Sequence, residues 1–295
     1  MTAWKKFVAT AALPLALSGC LWGPGKFTSD LAVRKNGTFV LDYRGEILFQ
    51  LPDKDGEATP WDVRMAHCYA DGHSARMPVG LADADEASAD EDSSDADPSE
   101  KRRTCTQAEL AKLKAEHEKE QTEKSAAERK KYEEMSKVFG LPGLDEESNR
   151  KFADRLMKYQ GWKSVAYKGK GIYDVTYHYE GRLGQDYAFP MMPDSDLMIP
   201  FVTLRNRTDG SVQVSAPAFV GGQGVFGARA AMQGLPGSKD GPASRAAGRF
   251  TITTDAEILT NNSEDGPVAA ATGKEVHWDV SAQSSHIPEM LVRLK

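Results

Sequence analysis

After its first seventeen residues the chain has no apolar run long enough to cross a bilayer as a helix, which takes about 20 residues, so the rest reads as a water-soluble fold. Cysteine is scarce, with three in 295 residues. His67, Cys68 and His73 lie close together, but no second pair at zinc spacing follows them. The histidines at 67, 73, 117, 178, 277 and 286 are scattered, and none belongs to an H-E-x-x-H pattern. Neither a Gly-x-Ser-x-Gly elbow, a P-loop nor a kinase signature is present. These absences point away from an enzyme and imply no metal and no cofactor. Excess positive charge is lacking too. The net charge is −6, and nine negative charges fall between Asp83 and Glu100, which leaves the remainder close to neutral. A neutral body offers no broad phosphate-binding surface, so nucleic acid is excluded as a partner.

What is present begins with Lys5 and Lys6, followed by an apolar run from Phe7 to Leu17 that ends in Leu17-Ser18-Gly19-Cys20. A positive start, a short apolar stretch and small residues form a secretory signal. The last four residues resemble the lipobox of bacterial lipoproteins. That resemblance implies cleavage after residue 19, a triacylated Cys20, and a chain held to a membrane of the cell envelope, since two or more acyl chains anchor stably. Leu21 stands where an inner-membrane retention signal has Asp, which implies an outer-membrane location facing the periplasm. Once Cys20 is acylated, two thiols remain, Cys68 and Cys105, in a compartment where disulfides persist. They flank the acidic segment and are expected to be bonded.

Along the chain, Phe27, Leu31 and Val33 mark one strand and Phe39, Leu41, Tyr43, Ile47 and Phe49 another, with Lys35-Asn36-Gly37 as a hairpin turn. Thr59-Pro60 predicts a short helix through Trp61, Met65 and Tyr69. Residues 81–100 are Ala, Ser, Asp and Glu with little to bury, so disorder is expected. Asp83-Ala84-Asp85-Glu86 has the beginning of a calcium loop, but Ala87 and a missing Gly break the pattern. Thr106-Gln107-Ala108-Glu109 is a capping box that opens a long helix. Leu110 and Leu113 anchor its first turns, and Tyr132, Met135 and Phe139 its last. Between Lys114 and Lys131 it carries six basic and five acidic residues, which excludes a coiled coil and predicts an exposed arm supported by pairs such as Glu120–Lys124 and Glu133–Lys137. Asp145 caps a second helix with Phe152, Leu156 and Tyr159 on its apolar face and Gly161 as its stop. Strands are expected over 162–168, 171–180, 200–207, 211–216, 250–259, 275–280 and 290–294.

The predicted fold is α+β, a mainly antiparallel sheet with a packed amphipathic helix and a long charged helical insertion. The expected organisation is a signal over 1–19, a tether over 20–26, a hairpin and short helix over 27–80, and an acidic loop over 81–103. A charged arm over 104–140 and the rest of the α+β domain over 141–295 complete it. Gly222-Gln223-Gly224-Val225-Phe226-Gly227 matches G-x-G-x-x-G, but Gly234-Leu235-Pro236-Gly237 stops any following helix, so a flexible loop is expected. His178, among Tyr173, Tyr177 and Tyr179, reads as part of an aromatic strand face. Met191, Met192, Leu197, Met198 and Ile199 lie in a Pro-broken apolar loop and, with Val225 and Phe226, are candidates for the lip of a binding surface. With the lipobox, the strand-rich ends resemble LppM-type lipoproteins, which implies lipid handling. The leading expectation is a non-enzymatic envelope lipoprotein that binds a lipid or other apolar ligand. The rival is an assembly or scaffold lipoprotein whose charged arm meets an envelope protein.

Overall fold

The computed structural model describes residues 22–49, 51, 60–77, 102–138, 140–191, 200–221 and 245–294. In chain order the first strands are β1 (Trp22–Val33), β2 (Thr38–Phe49), β3 (Ala66–Tyr69), β4 (Ser74–Arg76) and β5 (Arg102–Arg103). Two helices follow, α1 (Gln107–Val138) and α2 (Glu146–Leu156). After them come β6 (Trp162–Gly169), β7 (Ile172–Arg182), β8 (Tyr187–Phe189), β9 (Val202–Asn206) and β10 (Ser211–Ser215). The last are β11 (Ala247–Thr254), β12 (Glu257–Asn261), β13 (Val268–Ala270), β14 (Gly273–Val280) and β15 (Glu289–Arg293). Two compact units result, one of Met1–Leu51 with Phe139–Lys295 and one of Pro52–Val138. Residues 60–77, expected in the α+β body, belong to the second unit because their strands pair with one another and with β5.

In the body, β1 and β2 form the hairpin that Asn36-Gly37 predicts. Gly37 takes a φ of 80°, and Asn36 Oδ1 accepts from the Thr38 amide at 2.9 Å. This hairpin lies near the centre of a seven-stranded sheet of order β13-β14-β11-β1-β2-β7-β6. The period of two along each strand puts Phe27, Leu31, Phe39, Leu41, Tyr43, Ile47, Tyr173 and Val175 on one face, all buried. They share a core with residues of a five-stranded sheet of order β12-β15-β10-β9-β8, among them Phe189, Leu204, Val212, Val214 and Val292. The strand pairs are antiparallel except β1–β11, which is parallel. An α+β class with mainly antiparallel sheets is therefore what the residues form.

Helix α2 covers part of the same core. The Asp145 carboxylate accepts from the Ser148 amide at 2.8 Å, and the Phe152 ring lies 5.2 Å from Phe49 and 5.6 Å from Tyr173. Buried Asn149 donates to the Gly143 and Asp145 carbonyls and accepts from the Tyr173 hydroxyl at 2.6 Å, so its polarity is satisfied. Tyr159, predicted on the apolar face, is 43% exposed because the helix ends at Leu156 and its periodicity ends there. Two strand assignments also change. The run expected over 250–259 breaks near Asp255 into β11 and β12, which pair in different sheets. Tyr187–Phe189, whose Phe189 opens the apolar loop read from the sequence, is a strand paired with β9.

The second unit has a three-stranded sheet, β4-β3-β5, and the long helix α1. The helix predicted through Trp61, Met65 and Tyr69 does not form. Asp62 caps a single 3-10 turn, Val63–Met65, and the chain then enters β3. There Cys68 is bonded to Cys105 with the Cα atoms 5.2 Å apart, and Cys68 also pairs across strands with Ser74 and Arg103. Such tertiary constraints override a weak local helix preference. The capping box forms as predicted: the Thr106 amide donates to Glu109 at 2.9 Å, and the Glu109 amide donates to Thr106 Oγ1 at 3.3 Å. Arg103 adds two bonds to the Glu109 carboxylate, at 2.6 and 2.9 Å, and these with the capping bonds hold its pKa down at about 2. Leu113, His117, Tyr132 and Ser136 are buried, whereas the middle of α1 is mostly exposed. Glu120 pairs with Arg76 and not with Lys124; along the helix the ion pairs are Lys112–Glu116, Lys114–Glu118 and Lys119–Glu123. The acidic stretch 81–100 and Phe139 lie outside the described residues.

Candidate functional site

Strand registers gather one end of the body. Trp22, where the chain enters β1, is opposite Phe49 at the end of β2, and Lys26 is opposite Ala247 at the start of β11. In the second sheet, Thr203 near the start of β9 lies opposite Ser215 at the end of β10, which lies opposite Glu289 at the start of β15. The two sheets meet at this end through the Trp22 and Phe201 rings, 5.0 Å apart, and the Phe27 and Phe219 rings, stacked at 4.2 Å. The flanks of both Met- and Gly-rich segments therefore come together here, although Phe189 and Arg245 are far apart in sequence. The Phe201 amide donates to the Phe189 carbonyl at 2.5 Å, which fixes the two sides of segment 192–199. The Gly221 amide donates to the Ser284 carbonyl at 2.8 Å, just before segment 222–244.

Of the residues proposed for a binding lip, Met191 is described, and it is 64% exposed. Met192, Leu197, Met198, Ile199, Val225 and Phe226 lie outside the described residues, as do Cys20 and the Gly222–Gly227 motif. Sequence reasoning missed Trp22 and Phe201, which join the sheets at this end; the available signal was an aromatic residue next to each segment of unusual composition. Exposed Lys26, Lys168, Lys170 and Arg245 belong to the same end, with Lys168 paired to Asp174 at 3.7 Å. The space between the sheets is occupied by close-packed rings. Tyr43, Phe189, Phe201, Phe219 and Phe250 are fully buried, and Tyr43 lies 5.2 Å from Phe189.

The outer face of the seven-stranded sheet is polar. Asp30 and Asp42 are direct cross-strand partners, a like-charge pair that opposes folding. His178 does not join the aromatic side of β7. It sits on the outer face, with Nδ1 2.8 Å from Asp42 and Nε2 3.2 Å from Glu180, and these hydrogen bonds raise its pKa. A raised histidine pKa stabilises the fold below its unfolded value, and the contribution disappears as pH rises through the folded value. His178→Gln is therefore expected to lower the melting temperature more near pH 6 than near pH 9. Asp30 also has a raised pKa, first from partial burial and then from Asp42. For a carboxyl this means that stability is lost as pH rises through the folded value. Asp30→Asn should thus raise the melting temperature of the body at pH 7, with the gain gone below about pH 4, the ordinary aspartate range. A melting-temperature series across pH checks both signs.

No group of three or more His, Cys, Asp or Glu side chains suited to a metal ion occurs among the described residues. Cys68 is committed to its disulfide, while His73 contacts Asp71 at 2.7 Å and stacks on Tyr69 at 4.1 Å. No described helix is long and apolar enough to cross a membrane.

No family model matches the chain, and no curated protein matches it in sequence. Among solved structures it is similar to the folded domain of the LppM protein of Mycobacterium tuberculosis, solved by NMR. The two share 9% identity with a TM-score of 0.21, over 95% of this chain and 94% of that one.

Proposed function

We propose that this chain is a lipoprotein of the bacterial cell envelope, anchored through acyl chains on Cys20, that engages an apolar partner without catalysis. The observation that carries this reading is the motif Leu17-Ser18-Gly19-Cys20 behind a short apolar run, two residues before the strand that begins at Trp22. At roughly 3.5 Å per residue, Cys20 lies within about 7 Å of Trp22, at the end of the body that also presents Met191. Outer-membrane placement facing the periplasm follows from Leu21 and belongs to the same proposal.

Cys20→Ala is expected to abolish acylation and the lipoprotein type of cleavage, so the chain keeps its first nineteen residues. Mass spectrometry of the purified protein measures both. A variant with the same mature mass as the parent and the same detergent-phase partitioning sinks the anchor.

A second reading rests on α1. Its exposed charged middle is braced at the N-terminal end by the capping box, by Arg103 and by the nearby disulfide, as a rigid arm for a protein partner would be. Reversing Lys119, Lys124 and Lys130 to Glu should release such a partner in a pull-down from envelope extracts, with membrane anchorage intact.

A further inference from the structure

We propose that the apolar partner is the bilayer surface itself, and that the body stands end-on with Met191 in contact with lipid. This inference rests on the anchorage through Cys20 proposed above. Three observations carry it. The first is reach: β1 starts within about 7 Å of Cys20, and Trp22 is itself buried in the body against Phe49 and Phe201, so the entry point cannot swing away from the anchor.

The second is composition. Among the described residues of the body Met191 is the most exposed large apolar one, and it follows Phe189-Pro190 at this same end. Exposed Lys26, Lys170 and Arg245 belong to the same end on other elements, where a lipid surface with anionic headgroups would attract them within a Debye length of about 10 Å. Glu46 also belongs to this end, but it accepts from the Lys26 amide at 3.0 Å.

The third is the filled interior. With Tyr43, Phe201, Phe219 and Phe250 fully buried, their rings occupy the space between the described strands where a cavity for an acyl chain would lie. A bilayer supplies apolar contact without requiring one.

The opposite end of the hairpin provides an internal reference. β1 has 12 residues, which at about 3.3 Å each puts Lys35 some 35–40 Å from Trp22. The test uses the full acylated chain in vesicles of phosphatidylethanolamine and phosphatidylglycerol, with a fluorophore on Met191→Cys or on Lys35→Cys and a nitroxide quencher on the lipid tails. Loss of at least half the emission at position 191, with little loss at 35, is the expected result. Circular dichroism and thermal melts of the labelled chains establish that both are folded. Flotation with the vesicles reads the anchor separately. A chain that does not float removes the anchor and the inference together. A chain that floats with both labels equally unquenched overturns the inference and leaves the anchor standing. One lipid retained per chain after release from the vesicles, with position 191 unquenched, overturns it in favour of a carried lipid.

Discussion

Phe201→Ala should destabilise the body by about 3–5 kcal/mol, the range for deleting a large aromatic from a packed core. Phe201 is fully buried, with its ring 5.0 Å from Trp22, 5.8 Å from Tyr43, 5.9 Å from Phe189 and 6.1 Å from Phe219. These neighbours come from both sheets, so no single strand can shift to close the void. Denaturant unfolding followed by tryptophan emission measures the loss. Met191→Ala, two residues past Phe189 and exposed, is the control and should change stability by less than about 0.5 kcal/mol. If the two variants lose similar stability, Phe201 is not the joint between the sheets that its contacts describe.

Removing the Cys68–Cys105 bond is expected to have an effect of the same size on the second unit. The bond closes a separation of 37 residues, and in the chain-entropy model a loop of that length contributes about 4 kcal/mol through the unfolded state. The loop contains the acidic residues from Asp83 to Glu100, whose mutual repulsion favours expansion once the constraint is gone. Cys68→Ser with Cys105→Ser should therefore expose the amides of β3 and the first turns of α1 to faster hydrogen exchange, with the amides of β1 and β2 unaffected. Thiol counting on denatured, unreduced protein is the direct check on the bond. Two free thiols would eliminate it.

Local chemistry was readable wherever a few neighbouring residues settle the matter. Asn36-Gly37 requires a hairpin because a positive φ is needed there, and the alternation of Phe39, Leu41 and Tyr43 chooses the face that is buried. Thr106 and Glu109 specify a helix start through two reciprocal hydrogen bonds. Asp145 specifies another through its carboxylate. The turn also sets the register of the β1–β2 hairpin, and with it the pairing of Asp30 with Asp42.

The failures occur where local preference competes with a distant partner. Thr59-Pro60 and the spacing of Trp61, Met65 and Tyr69 suit a helix, but the Cys68–Cys105 bond and strand pairing on both sides of β3 hold that stretch extended. His178 is surrounded by tyrosines in sequence, yet a pleated strand sends neighbours to opposite faces, and it meets Asp42 and Glu180 instead. Met191 could be assigned an apolar character from sequence but not its exposure, since that depends on whether another element covers it.

The sequence by itself determined the hairpin at the centre of the large sheet, the capped starts of both helices and the pairing of Cys68 with Cys105. Each of these depends on residues close in the chain or on simple elimination. The tertiary structure alone decided that residues 60–77 belong with β5 and α1 in the second unit and not in the body. It also decided that Trp22, Met191, Gly221 and Arg245 share one end of the sandwich. Strand order is the reason. Pairing β1 with β11 and β9 with β10 joins segments separated by long stretches of chain, and the energy that selects those pairs comes from burying one common core, which no local pattern encodes.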